Sequence, residues 1–140
     1  MGNFLGIDYG TKRIGVAGGD EVMRIAFPLC VLDNSSQRRV MEEIRRIVSE
    51  REVTVIVLGL PLSLDGSRGL AAENVERFAD VLKKNINLPV ELWDERLSTK
   101  MAERAMIAGG LSRERRKQSI DQSTAQIILQ SYLDAHGPQN

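Results

Sequence analysis

The order of patterns along this chain predicts an α/β domain in which a mixed β-sheet is flanked by helices. Three short apolar segments at the N-terminus are joined by tight turns, a continuous β-branched run stands mid-chain, and helical periodicities then alternate with strands. At 140 residues the chain has the length of one domain, expected to span 1–140.

Phe4–Asp8, Arg13–Gly18 and Arg24–Leu32 read as strands, with turns at Tyr9–Lys12 and around Gly19–Met23. Connections this short favour antiparallel neighbours. From Ser36 to Arg51, the residues Val40, Ile44, Ile47 and Val48 recur at helical spacing between charges, which predicts an amphipathic helix. Val53–Leu58 has the run of a strand covered on both faces and belongs inside the sheet. After the Gly59–Gly69 loop, Val75, Phe78, Ala79 and Leu82 mark the inner stripe of a second helix, followed by a strand at Val90–Asp94. That βαβ unit implies two parallel strands. Thr99–Ala108, with Met101, Ala102, Ala105 and Ala108 on one side, predicts a further helix. The last helix is expected to begin near Ser119, which forms a capping-box spacing with Gln122, and to end at Gly137.

Nineteen basic residues balance nineteen acidic ones, which excludes a global electrostatic footprint for a polyanion and leaves only a local patch. Such a patch is Arg113-Glu114-Arg115-Arg116-Lys117, preceded by Lys100 and Arg104 and read as an exposed loop between helices. Cys30 is the sole cysteine, so an intramolecular disulfide and a cysteine metal cage are excluded, and it is expected in the core. The longest mostly apolar run, Val53–Leu62, falls short of a membrane span, and Met1–Phe4 lacks the pattern of a signal peptide. A cytoplasmic location is expected. His136, the sole histidine, gives little basis for a histidine-dependent triad or a zinc site.

Asp8 ends an apolar strand just before a glycine-containing turn. An ionised carboxylate buried there costs several kcal/mol unless a cation or donors offset it, so Asp8 is expected to face a metal ion or a phosphate-bearing ligand. Ligands of α/β sheets collect beyond the carboxyl ends of parallel strands. If the first strand is parallel to the later two, Glu95 comes near Asp8, although taken alone it reads as a solvated acid paired with Arg96. Asp121 suits the first turn of a helix for electrostatic reasons alone. It also shares a stripe with Ala125, Ile128 and Tyr132, which turns it inward. Periodicity leaves open whether the connector Gly109–Gln118 returns that helix to the same edge; ten extended residues reach up to ~33 Å. Three carboxylates without Cys or His suit a hard cation such as Mg²⁺ or Mn²⁺ and phosphodiester hydrolysis. Lys12, Arg96, Arg113, Arg116 and Lys117 are candidates to hold the substrate backbone.

The segments LGIDYGTKRIGVA, VIVLGLPLSLDGS, ELWDERLST and SIDQSTAQIILQSYLD resemble, in order and over nearly the whole chain, the YqgF/RuvX family. Its members have the ribonuclease H-like fold and are associated with two activities, Holliday junction resolution and 5′ maturation of pre-16S ribosomal RNA. The resemblance implies metal ligation by Asp8, Glu95 and Asp121. It implies a five-stranded sheet of order 3-2-1-4-5 with the second strand antiparallel, an arrangement that returns Asp121 to the acid edge. The implied protein is a metal-dependent endonuclease acting on structured nucleic acid, pre-rRNA or branched DNA, with a ribosome-associated role in the first case. A junction resolvase should dimerise and a processing nuclease need not. No surplus apolar stripe marks a dimer face, so a monomer or weak homodimer is expected.

In many folds of this class the second acid ends the fourth strand, where this chain has Gly59-Leu60-Pro61. Delivery of the acid from the fifth strand predicts a more open site, with one of two ions entering only with substrate. Asp94 is the alternative to Glu95, and Asp65 or Glu43 a candidate fourth carboxylate. Asp8-Tyr9-Gly10-Thr11 also resembles the first phosphate loop of actin-like ATPases and sugar kinases, which need a second lobe that 140 residues do not provide. A catalytically silent RNA-binding module of the same fold is the remaining rival, since recognition by shape needs few aromatic residues.

Overall fold

A computed structural model of the chain describes residues 2–63, 65–97 and 113–136, the side chains of 113–123 excepted. The elements are β1 (Asn3–Tyr9), β2 (Arg13–Asp20), β3 (Phe27–Asp33), α1 (Gln37–Arg51), β4 (Val53–Leu60), α2 (Leu70–Asn85), β5 (Val90–Asp94) and α3 (Arg113–Ala135). The sheet order is β3-β2-β1-β4-β5. β2 is antiparallel to both β1 and β3, whereas β1, β4 and β5 run parallel. This is the mixed sheet the sequence predicts.

Alternation along β1 sorts the core into two layers. Leu5 and Ile7 join Ile14, Val16, Ile56 and Leu58 beneath α1 and α2, whose stripes are Val40, Met41, Ile44, Ile47 and Val75, Phe78, Ala79, Leu82. On the other face Ala17 and Val57 pack with Ala125, Ile128, Leu129 and Leu133 of α3. Cys30 is half-buried on β3 against the first layer. No helix among the described residues is long and apolar enough to cross a membrane.

β4 runs through Leu60, so Gly59 lies in the strand and not in the loop expected after Leu58, and two larger boundary differences have physical reasons. β3 starts at Phe27 rather than Arg24, because the chain around Arg24 is drawn to the tail of α3. Arg24 adopts a left-handed φ of 56°, accepts a hydrogen bond from Gln130 Nε2 at 3.0 Å and donates to the carbonyls of Leu133 and His136. α3 starts at Arg113 rather than near Ser119, so the basic cluster 113–117 is the first turn and a half of a helix and not a loop. Neither Gly nor Pro occurs between Arg113 and Ala135, and Arg, Glu, Lys and Gln are good helix formers. The Ser119–Gln122 spacing falls inside the helix, where i,i+3 neighbours arise without any cap. The helix expected at Thr99–Ala108, with Lys100 and Arg104, and the connector from Gly109 to residue 112 lie outside the described residues.

Candidate metal and nucleic-acid site

Asp8 is on the α3 face of β1, at the carboxyl edge of the parallel strands. The residues around it are small enough to bring the helix onto the sheet backbone: a Cβ at Gly6 would lie 2.7 Å from Leu129 Cβ. Gly15 pairs with Asp8 in the β1–β2 register. A Cβ at Gly15 would stand 3.8 Å from Asp8 Cβ and 3.5 Å from Ala125 Cβ, so Ala125 sits over the Asp8–Gly15 pair. Further along α3, Leu129 meets Gly6 and Leu133 meets Gly19, near the amino end of β1. The helix therefore enters from the acid edge, and Asp121 precedes Ala125 by one helical turn, ~6 Å of rise. The side chains of Asp121, Arg113, Arg116 and Lys117 lie outside the described residues.

Alternation along β5 turns Glu91 and Trp93 toward α3, and Glu95 follows the strand's end. Tyr132 OH donates to Glu91, and Trp93 Nε1 donates to Ser131 Oγ at 3.0 Å, both partners lying on α3. Glu95, two residues beyond Trp93, opens the helical turn Glu95–Leu97 and hydrogen-bonds Asp8. β4 separates these strands, and Gly59 is its residue at this level, beside Trp93 in the β4–β5 register. A Cβ at Gly59 would fall 2.7 Å from Glu95 Oε1, 2.9 Å from Glu95 Cγ and 2.6 Å from Ile128 Cδ1. The Glu95 side chain thus lies across bare backbone to reach Asp8. Burial above all, then the charge and hydrogen bond of Asp8 and the charge of Asp94, push the Glu95 carboxyl up to about 8. At neutral pH the pair retains a proton. The Glu95 carboxyl folds back over β4 toward Asp8, so an acid that follows the fifth strand still reaches the acid of the first.

The other candidate acids are engaged elsewhere. Arg96 forms a two-pronged ion pair with Asp94, Nη2 to Oδ2 at 2.6 Å and Nε to Oδ2 at 3.0 Å, while the Arg96 N–H bonds Asp94 Oδ1 at 2.9 Å. The guanidinium holds the Asp94 carboxyl below its ordinary range. Asp65 accepts from the Ser67 N–H at 2.9 Å, and Ser67 is the first cause of its lowered pKa, with Arg96 a lesser one. Glu43 belongs to α1, on the opposite face of the sheet, and pairs with Arg46 at 2.7 Å, which removes it as a fourth ligand. Among the described residues no group of three or more Asp, Glu, His or Cys forms a metal cluster. The described part of the site is the Asp8–Glu95 pair.

Lys12 is exposed in the turn that follows β1. That turn is anchored by Asn34, whose N–H bonds the Lys12 carbonyl at 2.9 Å and whose Nδ2 bonds the Gly10 carbonyl at 2.8 Å. Sequence reasoning missed Arg13. It follows Gly15 outward on the α3 face of β2, is exposed, and makes no ion pair among the described residues. The signal was available: a tight hairpin that sets Asp8 opposite Gly15 puts Arg13 on the same face by alternation. The oxygen-only donors of Asp8 and Glu95, pressed together with a proton between them, fit a hard divalent cation, which would displace that proton on binding.

A sheet of this order, with paired carboxyl groups at its parallel edge beneath the last helix, defines a ribonuclease H-like domain. T. thermophilus RuvC in complex with a Holliday junction substrate shares that fold, with a TM-score of 0.66 at 15% identity over 97% of this chain and 96% of that one. The chain belongs to the RuvX family, whose model, described as Holliday junction resolvase, matches residues 2–135. A relative from Myxococcus xanthus (strain DK1622), named "Putative pre-16S rRNA nuclease", is 46% identical over 134 residues, 96% of this chain and 89% of its own length. A Chloroflexus aurantiacus (strain ATCC 29366 / DSM 635 / J-10-fl) relative of the same name is 47% identical over 131 residues, 94% of this chain and 86% of its own length.

Proposed function

We propose that this chain is a metal-dependent endonuclease that hydrolyses phosphodiester bonds of structured nucleic acid, acting in 5′ maturation of pre-16S rRNA. The observation that carries this reading is the contact between Asp8 and Glu95 on the α3 face, a pair of acids joined across an intervening strand. The names of relatives at 46% and 47% identity support the RNA substrate.

Asp8 and Glu95 hold Mg²⁺ or Mn²⁺ in this reading, with Asp121 as the third ligand from α3. With the ion held there, the site would supply an activated water and stabilise the leaving oxygen of an in-line displacement. Lys12 and Arg13 hold backbone phosphates at the turn beside Asp8, and Arg113, Arg116 and Lys117 extend the contact along α3. Arg96, bound to Asp94, steadies the end of β5 and meets phosphate only on its outer edge. These cations fix the position of the substrate without reading its sequence.

Wild type and Asp8→Asn are compared on precursor 16S rRNA and on a four-way DNA junction, with Mg²⁺. Cleavage of the RNA near its mature 5′ end by wild type alone is the expected result. Cleavage confined to the junction transfers the activity to branched DNA, as the family description has it. Binding without cleavage by either protein makes the chain a silent RNA-binding module.

A further inference from the structure

The residue just past β5 supplies one acid and β1 the other, yet β4 runs between the two strands. Neighbouring strands lie ~4.8 Å apart, so β5 and β1 are ~10 Å apart, and upright carboxyl side chains would stand too far apart to touch. Contact requires one of them to lean over the middle strand. Glu95 does so, and the residue beneath its carboxyl is Gly59, buried and without a side chain. Leu58 on β4 packs into the opposite layer, so Gly59 alone decides whether the lane is open.

We infer that Gly59 is a positioning residue: it keeps the α3 face of β4 bare, and any side chain there separates Glu95 from Asp8. The inference rests on the reading of those two acids as metal ligands. An alanine methyl at 59 would meet Glu95 Oε1 at 2.7 Å and Ile128 Cδ1 at 2.6 Å, both closer than real Cβ atoms approach other atoms. One of the two must move. Ile128 is fully buried between helix and sheet, whereas Glu95 is partly exposed, so its longer side chain has solvent to move into. Displacing it takes the Glu95 carboxyl away from Asp8 while the sheet and the helices stay in place.

The test is Mn²⁺ titration followed by the electron paramagnetic resonance signal of the free ion, with far-UV circular dichroism melts on the same samples. The variants are Gly59→Ala, Ile128→Val and the two combined; Ile128→Val deletes the atom that a methyl at 59 would strike and leaves only the clash with Glu95. Expected are at least tenfold weaker Mn²⁺ binding by Gly59→Ala and by the double variant, and binding within about twofold of wild type for Ile128→Val. Wild-type affinity in the double variant overturns the inference, because the loss then came from helix packing. Wild-type affinity in Gly59→Ala overturns it outright. If Gly59→Ala alone fails to melt cooperatively, the double variant decides by the same criterion. Absence of Mn²⁺ binding by the wild type overturns the metal reading itself, and this inference with it.

Discussion

Glu95, one residue past the end of β5, hydrogen-bonds Asp8 on β1, although β4 lies between the two strands. Two like charges brought together in a half-buried site cannot both ionise cheaply, so the pair keeps a proton in the absence of a cation. The fold thus holds the acids in an arrangement that is unfavourable at alkaline pH without metal.

That arrangement fixes a pH dependence of stability. The folded Glu95 carboxyl titrates at about 8, against an ordinary value of 4.5. Between those values the folded chain binds more protons than the unfolded one, so stability falls as pH rises through the window, by a few kcal/mol in total. Asp94 and Asp65 are shifted downward, so their contribution is lost on the acid side. Urea denaturation in EDTA should show higher stability at pH 5.5 than at pH 8.5, and excess Mg²⁺ should remove the alkaline decline. A flat profile between those two values would contradict the shared proton.

Replacing Asp8 by Asn removes one of the clashing charges with little change in volume. Cleavage and Mn²⁺ binding are expected to vanish, while the metal-free variant melts higher than wild type at pH 8 because Glu95 ionises more easily beside an amide. Gain of stability with loss of activity is the expected signature of a functional site. Loss of the melting transition would instead give Asp8 a structural role.

Arg13 faces the acid side of β2 with no ion pair among the described residues. In an Asp8→Asn background, Arg13→Gln should weaken RNA binding and reduce the slope of log K against log salt by roughly 0.7–0.9, the signature of one phosphate contact. Mn²⁺ affinity measured with Asp8 intact should not change. An unaltered slope would place the guanidinium away from the substrate.

Ser131 is buried, and its hydroxyl receives the indole N–H of Trp93 at 3.0 Å. Ser131→Ala leaves that donor without a partner against α3 and should cost ~1–2 kcal/mol. Trp93 is the sole tryptophan, so its fluorescence reports the denaturation directly. The variant should retain Mn²⁺ binding, since the contact lies one residue pair away from Glu95.

Much of this molecule was legible in the chain alone. The stripes Val40, Ile44, Ile47 and Val75, Phe78, Ala79, Leu82 gave two helices their faces, the Val53–Leu58 run marked an interior strand, and Val90–Asp94 matched β5 residue for residue. Periods of 3.6 and 2 are written locally, because each reflects which side of one element meets the core. Asp8 was equally legible, as a charge at the end of an apolar strand.

What only the tertiary structure decided are relations across strands. The start of α3 at Arg113 overrode a plausible cap at Ser119, and hydrogen bonds between Arg24 and the tail of α3 bent the chain there away from a strand. Arg13 acquired its place beside Asp8 through hairpin register. Gly59 looked like turn chemistry, and its meaning came from a side chain 36 positions later lying over it. Such facts have no local signature, because the space a glycine leaves open is defined by what another element puts there.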